Sequence, residues 1–272
     1  MSPSLARRGL KVFAAGADVV RPRPSGVVVL IYHRVGGGSG LEIDLPEPVF
    51  DEQMATLAAS RRTTTIDDAL AALAGPSPGA AHDLVVVTFD DGTADVVDVA
   101  LPVLVRHRVP ALLYVSTDFV ESGREFPFGG RPASWAALRD AISTGFLTVG
   151  SHTHTHALLD RASPADAERE LDRSIELIGE RLGVRAEHFA YPKALPGSPA
   201  AAALVRSRFR SAALAGTRPN RYGRTDPYRL ARTPIQTSDA PPWFRRKLAG
   251  GMRTEDDLRR VLNRFRYAKA RR

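Results

Sequence analysis

The chain has 272 residues, 43% of them hydrophobic and 25% charged, which is enough apolar sequence for one large core and too much for a disordered chain. It contains no cysteine, so disulfide frameworks, thiolate metal sites and cysteine nucleophiles are excluded together, and any metal must be held by nitrogen and oxygen. The net charge of +8 is accounted for by residues 242–272, where eleven Lys and Arg face three acids; the neutral remainder, poor in aromatics, offers no specific nucleic-acid surface.

In chain order, residues 1–24 form a basic leader. Arg7, Arg8 and Lys11 precede a short apolar stretch interrupted by Gly16 and Asp18, a poor signal-peptide core. No run approaches the ~20 apolar residues that span a bilayer. The expected compartment is therefore the cytoplasm, at a membrane surface at most. Residues 27–32 (VVVLIY) and 84–89 (LVVVTF) read as buried parallel strands, with 111–115 and 146–149 as two more. Residues 51–60 and 94–107 carry helical patterns between them. The clearest helix has Ser163 as N-cap and Pro164 at its first position, an apolar face of Leu171, Ile175, Ile178 and Leu182, and a stop at Gly183. Strands alternating with helices predict an α/β fold around a parallel sheet, either doubly wound or a closed, distorted barrel. Chemistry then belongs at the carboxyl ends of the strands.

Two clusters stand at such ends. Thr88-Phe89-Asp90-Asp91-Gly92 sets adjacent carboxylates where an apolar strand stops, before a glycine that permits a sharp turn. One acid can ligate a cation while its neighbour takes a proton from an attacking water, although such a sequence also suits a plain capping turn. Gly150-Ser151-His152-Thr153-His154-Thr155-His156 holds three of the seven histidines. The i, i+4 spacing puts His152 and His156 on one side of a helical turn and His154 away from them. Asp91, His152 and His156 would form a two-histidine, one-carboxylate metal site with open positions. A third segment, Phe189-Ala190-Tyr191-Pro192, is an apolar strand ending in proline that can aim a backbone N–H at a developing oxyanion.

TFDDG, SHTHTH and FAYP, in this order and separation, resemble the polysaccharide deacetylases, the NodB-like carbohydrate esterases. The resemblance spans residues 27–235 and implies a deformed (β/α) barrel and a catalytic domain over 25–240. It implies Asp90 as general base, Asp91, His152 and His156 as metal ligands, and Tyr191 as the source of the oxyanion-binding N–H. The implied cofactor is one divalent metal ion, zinc first, with cobalt, nickel and iron as alternatives. No histidine follows His188, so the late histidine acid of many members is missing. Tyr32-His33 instead is similar to the motif of a circularly permuted subgroup of poly-N-acetylglucosamine deacetylases, which implies His33 as the acid. Residues 224–235 are similar to a late family segment in which Asp226 and Arg232 orient the base or the sugar; a surface ion pair is the alternative. The implied reaction releases acetate from an N-acetylated glycan or glycoconjugate. An inactive sugar-binding module is the rival that intact Asp90 and His33 oppose. A non-heme metal oxygenase shares the ligand set but not its HxD…H order.

Residues 241–272 predict a basic amphipathic helix. Thr254 is its N-cap, Leu258, Val261, Leu262 and Phe265 its stripe, and Trp243 and Phe244 its anchors. It docks on the body or lies on an anionic bilayer.

Overall fold

The structure, a computed structural model, describes residues 24–36, 38–79, 83–252 and 254. The β-branched run after Gly26 forms β1 (Val28–Tyr32), followed by the short parallel pair β2 (Arg34–Val35) and β3 (Asp44–Leu45). Five-residue strands follow at β4 (Val85–Phe89), β5 (Ala111–Val115) and β6 (Leu147–Ser151), then β7 (His188–Ala190), β8 (Ser211–Ala215) and β9 (Leu230–Pro234). The long strands are all parallel and close on themselves in the order β1-β4-β5-β6-β7-β8-β9, with β9 pairing back onto β1. This is the deformed (β/α) barrel.

Helices α1 (Glu47–Ser60), α2 (Ile66–Ala74), α3 (Leu101–His107), α4 (Thr117–Ser122), α5 (Trp135–Ser143), α6 (Pro164–Leu182), α7 (Pro199–Arg208) and α8 (Pro241–Leu248) connect and flank the strands. Helix α6 runs between the residues expected: the Ser163 side chain accepts the Asp166 N–H, and Gly183 closes the helix in the left-handed region at φ 70°. The helix expected over 94–107 opens instead with a π-turn, Val96–Ala100, and Pro102 sits in the first turn of α3, where a missing N–H costs nothing. Strands β8 and β9 were not expected.

Alternation along the strands sorts the core into two layers. Val28, Leu30, Tyr32, Val85, Val87 and Phe89 face outward and pack with the helices. Val29, Val86, Leu112, Tyr114, Ala190, Ala213 and Leu230 face the lumen, with Ile66, Ala69 and Leu73 of α2 in the same cluster. The same period of two brings Asp90, His152 and Arg232 to the inner side above this filling.

Gly150 makes room for it: a Cβ there would lie 2.6 Å from the His188 carbonyl oxygen and 3.0 Å from the Tyr114 ring. The carbonyl belongs to a neighbouring strand and cannot rotate away. Gly150→Ala is expected to cost about 1–3 kcal/mol of folding free energy. Denaturant unfolding checks this, and an unchanged midpoint would refute the packing argument.

The expected leader, apart from Pro24, and the tail helix after Thr254 lie outside the described residues. Of the tail, α8 is described: Phe244 is buried in the outer core and Trp243 packs with Met252. No helix among the described residues is long and apolar enough to cross a membrane.

Candidate metal centre and active site

Strand β4 delivers both carboxylates to the barrel mouth. Asp90 continues the strand, its N–H donating to Tyr32 O at 3.1 Å, whereas Asp91 turns into the left-handed region at φ 73°. Neighbours in sequence therefore take different main partners, although His152 Nε2 lies 3.8 Å from Asp90 Oδ2 as well. Asp90 receives a two-pronged contact from Arg232 of β9, Nη1 to Oδ1 at 2.5 Å and Nη2 to Oδ2 at 2.8 Å. Arg232 has no exposed surface and stacks its guanidinium 5.1 Å from the Tyr114 ring centre.

Asp91 faces the histidines instead, with its Oδ1 3.6 Å from His152 Nε2 and 3.5 Å from His156 Nε2. His152 follows β6 directly, and its Nδ1 lies 2.8 Å from the Ala190 carbonyl at the end of β7. A carbonyl only accepts, so Nδ1 carries the proton and Nε2 presents a lone pair. The two histidines do not converge by helical spacing. Residues 152–156 form a non-helical turn with Thr153 and His156 in the left-handed region, at φ 65° and 63°. His154 points away, its Nδ1 2.9 Å from Thr117 Oγ1.

The donor set fits a divalent cation. The three ligand atoms lie within 4.8 Å of one another. Ligands about 2.0–2.1 Å from a shared tetrahedral centre stand roughly 3.4 Å apart, close to the separations from Asp91. The charges agree. Burial and then the negative charge of Asp90 push the Asp91 carboxyl up to about 8, so a lone carboxylate is disfavoured there until a cation joins it. Burial pushes His152 down to about 3, leaving its ring neutral, as a ligand must be. For Asp90 burial acts in the opposite sense but is outweighed, first by the Arg232 charge and then by His152, so its carboxyl lies at about 2.

A second group, Asp67, Glu187 and His188, lies at the opposite end of the strands. Arg210 already reaches both of its acids, at 2.6 Å and 2.9 Å, and makes it an ion-pair cluster.

The remaining expected residues divide. His33 follows β1 and lies close enough to Asp90 and Arg232 to feel both charges, while burial lowers its pKa. Tyr191 is at the end of β7, but its N–H is not free: it donates to Ala213 O at 3.1 Å in the β7–β8 ladder. In this structure the N–H expected to face an oxyanion is engaged in the sheet. Pro192 has no N–H, and the next one, on Lys193 at φ 52°, has no acceptor among the described residues. Asp226 is paired with Arg206, half exposed, and caps Tyr228, so only Arg232 of the late segment joins the site. The signal for Arg232 was an arginine inside an apolar run, since arginine is almost never fully buried unless paired.

Residues 79–208 match a family model described as polysaccharide deacetylase. That span contains Asp90, Asp91, His152, His156 and Tyr191; His33 and Arg232 fall outside it. No curated protein matches the chain in sequence. Among solved structures, IcaB from Ammonifex degensii is 28% identical with a TM-score of 0.68, the match covering 85% of this chain and 98% of that one. The Streptococcus pyogenes deacetylase PplD, in complex with acetate, is 19% identical with a TM-score of 0.69, covering 82% of this chain and 98% of that one. The BpsB deacetylase domain from Bordetella bronchiseptica is 18% identical with a TM-score of 0.63, covering 79% and 98%. The last two are likenesses of fold.

Proposed function

We propose, from the premise that this chain carries a polysaccharide deacetylase domain and is a carbohydrate de-N-acetylase, that it works with one divalent metal ion held by Asp91, His152 and His156. The observation that carries this reading is the convergence of two imidazole nitrogens and a carboxylate beside a second carboxylate that Arg232 keeps ionised. The substrate class is an N-acetylated amino sugar in a glycan or glycoconjugate. The nitrogen and oxygen donors suit zinc, with cobalt, nickel or iron as alternatives.

When bound, such a cation polarises the acetyl carbonyl and lowers the pKa of a water. Asp90 accepts the proton of the attacking water. Its carboxylate is ionised at every working pH, and Arg232, by gripping both oxygens, fixes the lone pairs that remain. The Lys193 N–H, which has no acceptor among the described residues and follows the strand whose Ala190 carbonyl orients His152, is the candidate donor for the oxygen that gains charge. His33 protonates the departing amine; burial lowers its pKa, and the charge of the neighbouring Asp90 opposes that and favours the imidazolium that donates. The products are acetate and a free amino sugar.

The test is acetate release from N-acetylglucosamine oligomers by purified protein. Chelation is expected to stop it and added metal to restore it, with no need for oxygen or a 2-oxoacid. His33→Ala is expected to lower turnover by about 10²–10⁴-fold while metal content stays unchanged. Acetate release that survives chelation would reject the metal, and full activity in the His33 variant would reject the acid.

A further inference from the structure

The two histidine ligands are not held alike. His152 is locked through its own ring by the Ala190 carbonyl. His156 has no hydrogen bond from Nδ1 to any described residue, and a quarter of its side chain is exposed. Its aim is therefore set by its main chain, which stands in the sparsely populated left-handed region at φ 63°. Something must hold that turn.

Two elements do. Helix α4 grips one side: the Asp118 N–H donates to His154 O at 2.9 Å, and Thr117 Oγ1 meets the His154 ring. On the other side, Glu170 of α6 uses both carboxylate oxygens. Its Oε2 accepts the consecutive N–H groups of His154 at 3.0 Å and Thr155 at 2.8 Å, and its Oε1 accepts the Thr155 hydroxyl at 2.7 Å. Charge-assisted hydrogen bonds of this kind are stronger than neutral ones, and three of them converge on the two residues before His156. Backbone N–H groups turned outward by a left-handed bend would otherwise bond to water and let the bend relax.

We propose that Glu170 is a positioning residue for the metal centre: by clamping the main chain at residues 154 and 155 it holds His156 Nε2 toward Asp91. This rests on the metal reading above. Outer partners that orient metal ligands typically cost about 10–100-fold in metal affinity when removed. Here the partner acts on the ligand's backbone instead of its ring, so its effect should fall on His156 alone.

The experiment is titration of metal-free full-length protein with zinc or cobalt, alongside thermal unfolding of the metal-free forms. Glu170→Ala is expected to weaken metal binding about 10–100-fold. Turnover should return when metal is raised to saturation. Glu170→Gln should stay within about 3-fold of wild type, because its amide oxygen can accept both N–H groups while its NH₂ donates to the Thr155 hydroxyl. Wild-type affinity in Glu170→Ala overturns the proposal, as does a loss in the Gln variant equal to that in the Ala variant. A purely structural role would lower the thermal midpoint and leave the affinity of the folded protein untouched. Failure of the wild type to bind metal would instead overturn the underlying site, so the two failures are distinguishable.

Discussion

Asp90→Asn is expected to lower acetate release by about 10²–10⁴-fold while the protein still binds metal, as removal of a general base should. The substitution keeps shape and burial, so the loss reports on proton acceptance. It also acts on Arg232. An Asn can meet only one prong of the guanidinium with its oxygen, and its NH₂ faces a second donor, so a fully buried cation is left half paired. Breaking a buried ion pair from one side costs about 3–5 kcal/mol, and the variant should be measurably less stable as well as slow. Arg232→Met is the matching experiment, because it leaves Asp90 buried without its main counter-charge. The carboxyl pKa, held at about 2 in the intact site, should then rise, and the acid limb of kcat/KM should move to higher pH. The sign for stability follows. A depressed carboxyl stabilises the fold above its unfolded value near 4, and that contribution is lost as pH falls from about 4 to about 2. Turnover of Asp90→Asn within tenfold of wild type would reject the base, and metal loss equal to that of Asp91→Asn would reject the division of labour between the two acids.

His152→Ala and His156→Ala are expected to lose metal by more than the ~10–100-fold that outer partners cost, and His154→Ala to keep it. His154 makes its contact with Thr117, away from Asp91. Elemental analysis of the purified variants decides this, and unchanged metal in His156→Ala would show the site misassigned. The proton balance gives a second reading. His152 is already neutral, being pushed down to about 3 by burial, and His156 is lowered for the same first reason. Asp91 alone is pushed up, to about 8, by burial and by Asp90. Metal binding near pH 6–7 should therefore release about one proton, and almost none above pH 9. In the metal-free protein a raised carboxyl favours folding at low pH, and that advantage is lost as pH rises from about 4 to about 8. The stabilisation added by metal should accordingly be largest on the alkaline side. Release of two or more protons would mean that the histidines, too, titrate.

Much of the architecture was legible where local signals are self-sufficient. The VVVLIY and LVVVTF runs, and the cap, proline and glycine of α6, carry their conformations in neighbouring residues. The last two strands do not. SAALA is alanine-rich and LARTP holds an arginine at an inward position, so neither shows a strand pattern until barrel closure supplies the partners. The site divides the same way. Asp91, His152 and His156 were identified as a set, but the spacing argument assumed a helical turn, whereas the turn is shaped by Ala190, Thr117 and Glu170, all distant in sequence. The bond from the Tyr191 N–H to Ala213 was not legible either, because Ala213 lies in an unforeseen strand. Asp226 and Arg232 could not be told apart until one was seen buried and the other at the surface.

The Asp90–Arg232 pair spans 142 positions of the chain, and β9, which brings the arginine, is the last barrel strand in the sequence. A chain emerging from the ribosome thus exposes every proposed metal ligand and the base well before the cation that tunes the base. Contacts this far apart in sequence are slow to form, because the intervening loop must be closed before the pairing rewards it. Until then two adjacent carboxylates sit in a half-built barrel with no counter-charge between them, which disfavours locking that mouth early. Capture of the arginine is therefore expected late in folding, and with it the pairing that holds the proposed base ionised: the charge of Asp90 is set only once the sheet is a closed ring.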